Sequence, residues 1–284
     1  MFKHFLITRF NLRNPKWISD KKNVAVLTDE WHENRFKLFD EFCFKSVSAQ
    51  TNTNFEWLVF FDKTTPQKFI DHVEELKSKM TNFIPLYVDG MDKFLPSILD
   101  YVSQCEEDYI ITSRLDNDDA ISKDYIKEVQ KRFDKQDFRA LDFIDGYSLQ
   151  IKPEVRIGKR IDQYNPFISL IEKNDNPKTV WSVRKHSHWK RIENVTSIRN
   201  VKVWTAIAHM ENKVNGFGGY GQIDLDQYFD NFKIARGEES YIRQHLVANS
   251  NWNAFSLRMR FKSVINYHYK NFKKAIGLYK LKKN

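Results

Sequence analysis

The sequence predicts an α/β protein built on a mostly parallel sheet with helices on both faces, and three observations carry that expectation. Short apolar runs of strand length alternate with amphipathic helical stretches through the first 145 residues. Three strand candidates end abruptly in charged residues, as ligand-binding strand ends do in open α/β sheets. No stretch repeats at a fixed period, and 284 residues suffice to bury a full core.

The first strand candidate, residues 5–8, ends in Thr8-Arg9. Phe36, Phe39, Cys43 and Val47 then recur at helical spacing, which marks a core-facing stripe. The second strand, residues 57–61, ends in Asp62, and Phe69, Val73, Leu76 and Met80 predict the helix after it. Strands at 84–88 and 109–112 follow, the latter running into Arg114-Leu115-Asp116-Asn117-Asp118-Asp119. A helix starting near Ser122 carries Ile126, Val129 and Phe133. Beyond residue 145 the pattern becomes hairpin-like, with strands at 147–152, 155–160, 179–184 and 202–208 and turns at Lys152-Pro153, Asn165-Pro166 and Asn176-Pro177. Gly216-Phe217-Gly218-Gly219-Tyr220-Gly221 is either a flexible lid or an ornate turn. Residues 255–262 alternate as a short strand would, after which Phe261, Val264, Ile265, His268, Phe272, Ile276 and Tyr279 share one helical face. Three parts result: a ligand-binding half at 1–145, a second half at 146–250, and an appendage at 251–284.

The acidic loop is the chemical centre of the chain. Three carboxylates in four residues repel one another unless a cation neutralises them, and hard oxygen donors suit Mg²⁺, Mn²⁺ or Ca²⁺ better than zinc. Helix capping by Asp118 or Asp119 would explain one or two of the acids, but not Arg114 and Asp116 beside them. No GxGxxG follows the first strand and no GxxxxGK[ST] occurs, so phosphate charge would be met by metal and arginine.

The net charge of +9 is localised. Residues 251–284 hold nine Lys or Arg and no acid, whereas the other 250 residues carry 37 of each sign. Such a tail suits packing on the core with a solvated basic face, or an anionic membrane surface, better than nucleic acid. Cys43 and Cys105 lack CxxC spacing, which excludes a zinc or disulfide framework and fits a reducing compartment. With no signal-like N-terminus and no apolar run of about 18 residues, a cytoplasmic protein is expected, peripheral at the inner face of the membrane if the tail binds there.

Several stretches together resemble a family. Thr8-Arg9-Phe10-Asn11, Arg35 through Gln50-Thr51, Asn54 through Asp62, Ser113 through Ala120, Asn165-Pro166-Phe167, Thr179-Val180 and the Trp204, His209, Asn212 spacing are similar to the rhamnosyltransferase group of bacterial GT-A glycosyltransferases. The resemblance covers roughly residues 1–215 and implies a GT-A-like domain over 1–250. It also implies sugar transfer, with rhamnose as one option, from a nucleotide-sugar donor to a saccharide or lipid-linked acceptor in surface polysaccharide synthesis. Asp116 and Asp118, joined by His209, would hold Mn²⁺ or Mg²⁺. Thr8, Arg9, Phe10, Arg35, Asp62, Arg114 and Asp116 would bind the nucleotide, although Arg35 and Arg114 serve equally well as structural ion-pair partners. Asp119 and Glu172 are the candidate catalytic carboxylates, with Glu172 preferred over Asp145, His186 and His188 as acceptor-side base. Competing classes are a metal-dependent nucleotidyltransferase or phosphohydrolase, and a non-catalytic protein that binds through its tail.

Overall fold

The computed structural model describes residues 1–19, 25–183, 185–209 and 216–279. Its first half alternates strand and helix: β1 (Phe2–Arg9), α1 (Asp29–Leu38), α2 (Lys45–Ser48), β2 (Glu56–Asp62), α3 (Gln67–Lys79), β3 (Phe83–Val88), α4 (Phe94–Val102), β4 (Tyr109–Arg114), β5 (Ala120–Ile121) and α5 (Tyr125–Gln130). The wider π-turns of Phe39–Phe44 join α1 to α2 without a break. Strands then dominate, as β6 (Phe138–Phe143), β7 (Asp145–Gln150), β8 (Arg156–Ile161), β9 (Ser169–Lys173), β10 (Val195–Ile198) and β11 (Trp204–Ala208), before α6 (Leu225–Asn231), α7 (Arg236–His245) and α8 (Asn253–Ala275).

Seven strands form the main sheet in the order β10-β6-β9-β4-β1-β2-β3. All neighbours run parallel except where β9 inserts antiparallel between β4 and β6. Alternation along β1 and β2 sends side chains to two cores. Leu6, Trp57, Val59 and Phe61 pack with the stripes of α1 and α3, and with Ile126 and Val129 of α5. Phe5, Ile7, Leu58 and Phe60 pack on the other face with Phe94, Ile98 and Val102 of α4. The expected parallel sheet with helices on both faces is therefore present.

A second sheet, β5-β11-β7-β8, packs its own apolar cluster against Tyr228 and Phe229 of α6 and Ile242 of α7. Gly146 of β7 is required here, because a Cβ would lie 2.3 Å from the Trp204 ring on β11. The glycine-rich segment docks on this sheet's edge through the Lys159–Tyr220 bridge, and a Cβ at Gly158 would meet the Tyr220 amide at 2.5 Å.

Some sequence expectations are corrected. Strand 179–184 is a short 3₁₀ turn at Val180–Ser182, with Arg184 outside the described residues. The helix after the acidic loop begins at Tyr125 behind Asp124, so neither Asp118 nor Asp119 caps it. Residues 255–262 are helical: their alternation fits either period over so short a window, and the 3.6-residue stripe continuing to Ile276 decides it. Cys105 follows α4 rather than lying within a helix.

Candidate active site

The carboxyl ends of β1, β2 and β4 open on one side of the main sheet, and the acidic loop lies there. Backbone bonding sets its path, since the Leu115 N–H donates to the Ile7 carbonyl at 3.2 Å and the Asp119 N–H to the Asp116 carbonyl at 3.3 Å. Asn117 staples the loop to β1 by donating its amide to the Phe10 carbonyl at 2.9 Å.

Each loop carboxylate has a different environment. Asp116, a quarter exposed, accepts from Arg114 Nη2 at 3.1 and 3.3 Å. Asp118 Oδ2 lies 2.8 Å from Arg35 Nη1 and 3.0 Å from His209 Nε2. Burial works against its charge, but the His209 hydrogen bond and the Arg35 charge prevail and hold its pKa below the usual carboxylate range. Asp119 is sealed from water. Its Oδ1 accepts from the Ile207 N–H of β11 at 2.8 Å, while its Oδ2 has no hydrogen-bond partner among the described residues. Burial, with Asp118 and Asp116 adding their charge, raises its pKa well above the usual value.

Three arginines converge on these acids, each beside a tryptophan ring. Arg114 lies 4.1 Å from the Trp181 ring centroid, Arg35 lies 5.1 Å from Trp31, and Arg9 sits between Trp17 at 5.7 Å and Trp181 at 5.8 Å. Arg9 pairs with no carboxylate among the described residues, and its Nη1 faces Met91 Sδ at 3.8 Å. Burial lowers the Arg9 pKa, Asp116 counters this, and Arg114 adds to the lowering. Three guanidiniums thus gather around the acidic loop, where phosphate oxygens could meet them.

The other candidates divide. His209, at the exit of β11, lies 3.0 Å from Asp118 Oδ2 through its Nε2. Thr8 and Phe10 do not frame a nucleoside: Thr8 Oγ1 accepts from Trp57 Nε1 at 2.9 Å, and Phe10 is buried among Phe36, Phe39 and Phe61. Asp62 is enclosed, taking N–H donors from Arg13, Thr64 and Gly90 and the Thr64 hydroxyl at 2.8–3.1 Å. Burial opposes its ionisation, but these donors outweigh it and lower its pKa. Asp62 therefore ties the β1 and β3 exits together, and no acceptor site is left for a ribose.

Glu172 is also corrected. It lies within β9 opposite Ile110, four residues before β4 reaches Arg114 and roughly 13 Å short of the loop. Its carboxylate accepts the Lys178 and Thr179 N–H groups at 2.8 Å each and shapes the turn where Thr179 takes φ +63°. Asp145 is similarly engaged by Arg199 at 2.8 Å and the Asn200 N–H at 2.6 Å. His186 contacts the Tyr164 carbonyl at 2.6 Å and His188 is exposed, while Asn212 lies outside the described residues.

Local patterning did not single out Trp17, Trp31 and Trp181, or a cavity of about 260 Å³ between the end of β8, Gly216–Gly218 and α8. Arg160, Asp162, Gln163 and Asn266 line it. Asp162 accepts from Arg160 Nη2 at 2.6 Å, and the buried Gln163 Oε1 has no hydrogen-bond partner among the described residues. Arg160, on the rim of this cavity, also bears electrostatically on Asp119.

Among the described residues no group of three or more His, Cys, Asp or Glu side chains is arranged to enclose a metal. Asp116 and Asp118 are instead the hard oxygen donors present, each already paired with an arginine, and Asp118 also with His209. Carboxylates of this kind are the donors that a hard divalent ion, completed by water and phosphate, would use.

The family model described as "Putative rhamnosyl transferase" matches residues 3–216. A search of curated proteins finds no match. Among solved structures, TarS 1-349 from S. aureus in complex with UDP is 15% identical with TM-score 0.44, over 72% of this chain and 60% of that one. The inositol-1-phosphate CTP transferase from T. maritima is 13% identical with TM-score 0.37, over 87% of this chain and 98% of that one. The glycosyltransferase GlyE from Streptococcus pneumoniae TIGR4 is 11% identical with TM-score 0.35, over 70% of this chain and 46% of that one.

Proposed function

Because the chain belongs to the family described as putative rhamnosyl transferase, we propose that it is a divalent-cation-dependent glycosyltransferase. In this reading it moves a sugar, with rhamnose as the family's suggestion, from a nucleotide-sugar donor to a saccharide or lipid-linked glycan acceptor. The observation that carries the reading is the set of Arg9, Arg35 and Arg114 around Asp116 and Asp118 at the carboxyl end of the parallel sheet.

A nucleoside diphosphate brings phosphate oxygens to the three arginines of this crevice. Arg9 is placed to fork onto phosphate oxygens, with Trp17 and Trp181 restricting its guanidinium. Asp116 and Asp118, with His209 beside them, are the residues that would hold Mn²⁺ or Mg²⁺. When bound, that ion neutralises charge developing on the leaving diphosphate. Arg114 and Arg35 set the orientation of the two carboxylates and add to that neutralisation.

Transfer breaks the bond from the anomeric carbon to the diphosphate oxygen and forms one to the acceptor oxygen, whose proton must leave. The cavity beside β8 is where this reading seats the acceptor. Asp162 is the carboxylate lining it, and takes the role first given to Glu172. Asp119, buried and bonded to β11, serves by fixing the loop to the second sheet.

The test is the melting temperature against a panel of nucleoside diphosphates, with and without Mn²⁺ or Mg²⁺, in the wild type and Asp116→Ala. One nucleotide at a hundredfold excess over its dissociation constant should add about 2.7 kcal/mol in the presence of metal, and Asp116→Ala should lose that gain. Metal-independent shifts, or none with any nucleotide, would overturn the reading.

A further inference from the structure

The C-terminal helix α8 is amphipathic in the reverse sense to the other helices. Ser256, Met259, Ser263, Tyr267, Lys270 and Asn271 lie against the body. Ser256 Oγ accepts the Gly221 N–H at 2.8 Å, Lys270 donates to the Gln163 carbonyl at 2.7 Å, and Asn271 Oδ1 accepts from Gln163 at 3.0 Å. The opposite side carries Leu257, Phe261, Ile265, Tyr269, Phe272 and Ile276, all between 48% and 66% exposed. Their spacing of three and four residues makes a continuous ridge along the helix. An unburied ridge of this kind on a folded chain marks a contact surface.

Charge selects the occupant. The helix contains Arg258, Arg260, Lys262, Lys270, Lys273 and Lys274 and no acid. Arg258, Arg260 and Lys262 are exposed beside the ridge, and the Lys273 ammonium lies 4.1 Å from the Tyr269 ring centroid. A second copy docking ridge to ridge across a twofold axis would press cations on cations. A nucleic-acid backbone would satisfy the cations but give six apolar side chains nothing to enter. An anionic bilayer supplies both complements, phosphate headgroups for the arginines and lysines and acyl chains for the ridge.

We propose that α8 is a membrane-docking face, lying in the plane of an anionic lipid surface with the ridge of Leu257 to Ile276 turned into it. The inference stands independently of the transferase reading, because it rests on exposure and charge in a helix remote in sequence from the acidic loop.

Flotation of the full chain with phosphatidylcholine vesicles, with and without about 30% phosphatidylglycerol, tests it. Partitioning should favour the anionic vesicles by at least about tenfold and decline as salt is raised. Phe261→Ser/Ile265→Ser/Phe272→Ser should lower binding about tenfold with the melting temperature unchanged, because these side chains are 58–66% exposed. Arg258→Gln/Lys262→Gln/Lys273→Gln should abolish the preference for anionic lipid. The proposal is overturned if the wild type floats with neither vesicle or equally with both. It also fails if the apolar triple variant binds undiminished or melts early, or if the wild type is a dimer in solution that this variant disperses.

Discussion

Asp118 and Arg35 are nearly sealed from water, at 12% and 7% side-chain exposure, so each depends on the other for its charge to be tolerated. Asp118→Ala should cost about 3 kcal/mol, because it strands a buried guanidinium, and Arg35→Leu should cost a similar amount. Combined, the two should fall short of the sum by about 1–3 kcal/mol in denaturant unfolding, while additive costs would show that the pair is not coupled. The buried Asp142 gives a pH-dependent counterpart. Burial pushes its pKa up to about 7 although it accepts the Tyr164 N–H at 2.7 Å. An unfolded aspartate titrates near 4, so between about pH 4 and 7 the folded chain holds the extra proton and stability falls as pH rises. Asp142→Asn should remove that contribution, and the variant's melting temperature should gain on the wild type's between about pH 4 and 7. A pH-independent difference would show that Asp142 is ionised throughout. At this scale the acidic loop was legible because three acids after an apolar strand form a local pattern. The tryptophans beside the arginines were not, because Arg35 meets Trp31 but Arg114 meets Trp181 across 67 positions of sequence.

Element by element, the first half could be read from periodicity because β1 to β4 are buried runs separated by helices with clear stripes. The second half could not. β6, β9 and β10 are four to six residues long, and β9 joins the main sheet by an antiparallel insertion that no local pattern announces. Glu172 was misassigned for that reason: in sequence it is a carboxylate near a proline turn, and in space it belongs to the middle of a strand. Glu172→Gln should therefore behave as a structural change. Losing one of two backbone acceptors should cost about 1–2 kcal/mol while turnover per folded molecule stays near wild type. Collapse of turnover at unchanged stability would return Glu172 to the chemistry.

The whole molecule places a charge-balanced two-sheet body beside a helix carrying only positive charge. Among the described residues no helix is long and apolar enough to cross a membrane. The two sides of α8 can be separated experimentally, because only one of them supports the body. Trp252, just before the helix, is buried against Phe217 with ring centroids 5.4 Å apart, and Phe255 stacks on the same Phe217 at 5.9 Å. Phe217 belongs to the glycine-rich segment that borders the cavity at the end of β8. Ending the chain at Ser250 should therefore expose Phe217, release the Gly221 N–H from Ser256 and leave residues 216–221 without their outer wall. A loss of about 2–4 kcal/mol follows from uncovering two or three aromatic side chains, or several degrees in melting temperature. Faster amide exchange should be confined to 216–221 and the adjoining edge of β8, with the main sheet still protected. The apolar-ridge substitutions on the outer face should leave exchange in this segment unchanged. Equal effects from both changes would mean that α8 acts as one packed unit; an effect of truncation alone would assign its inner side to the cavity wall and its outer side to whatever the protein docks on.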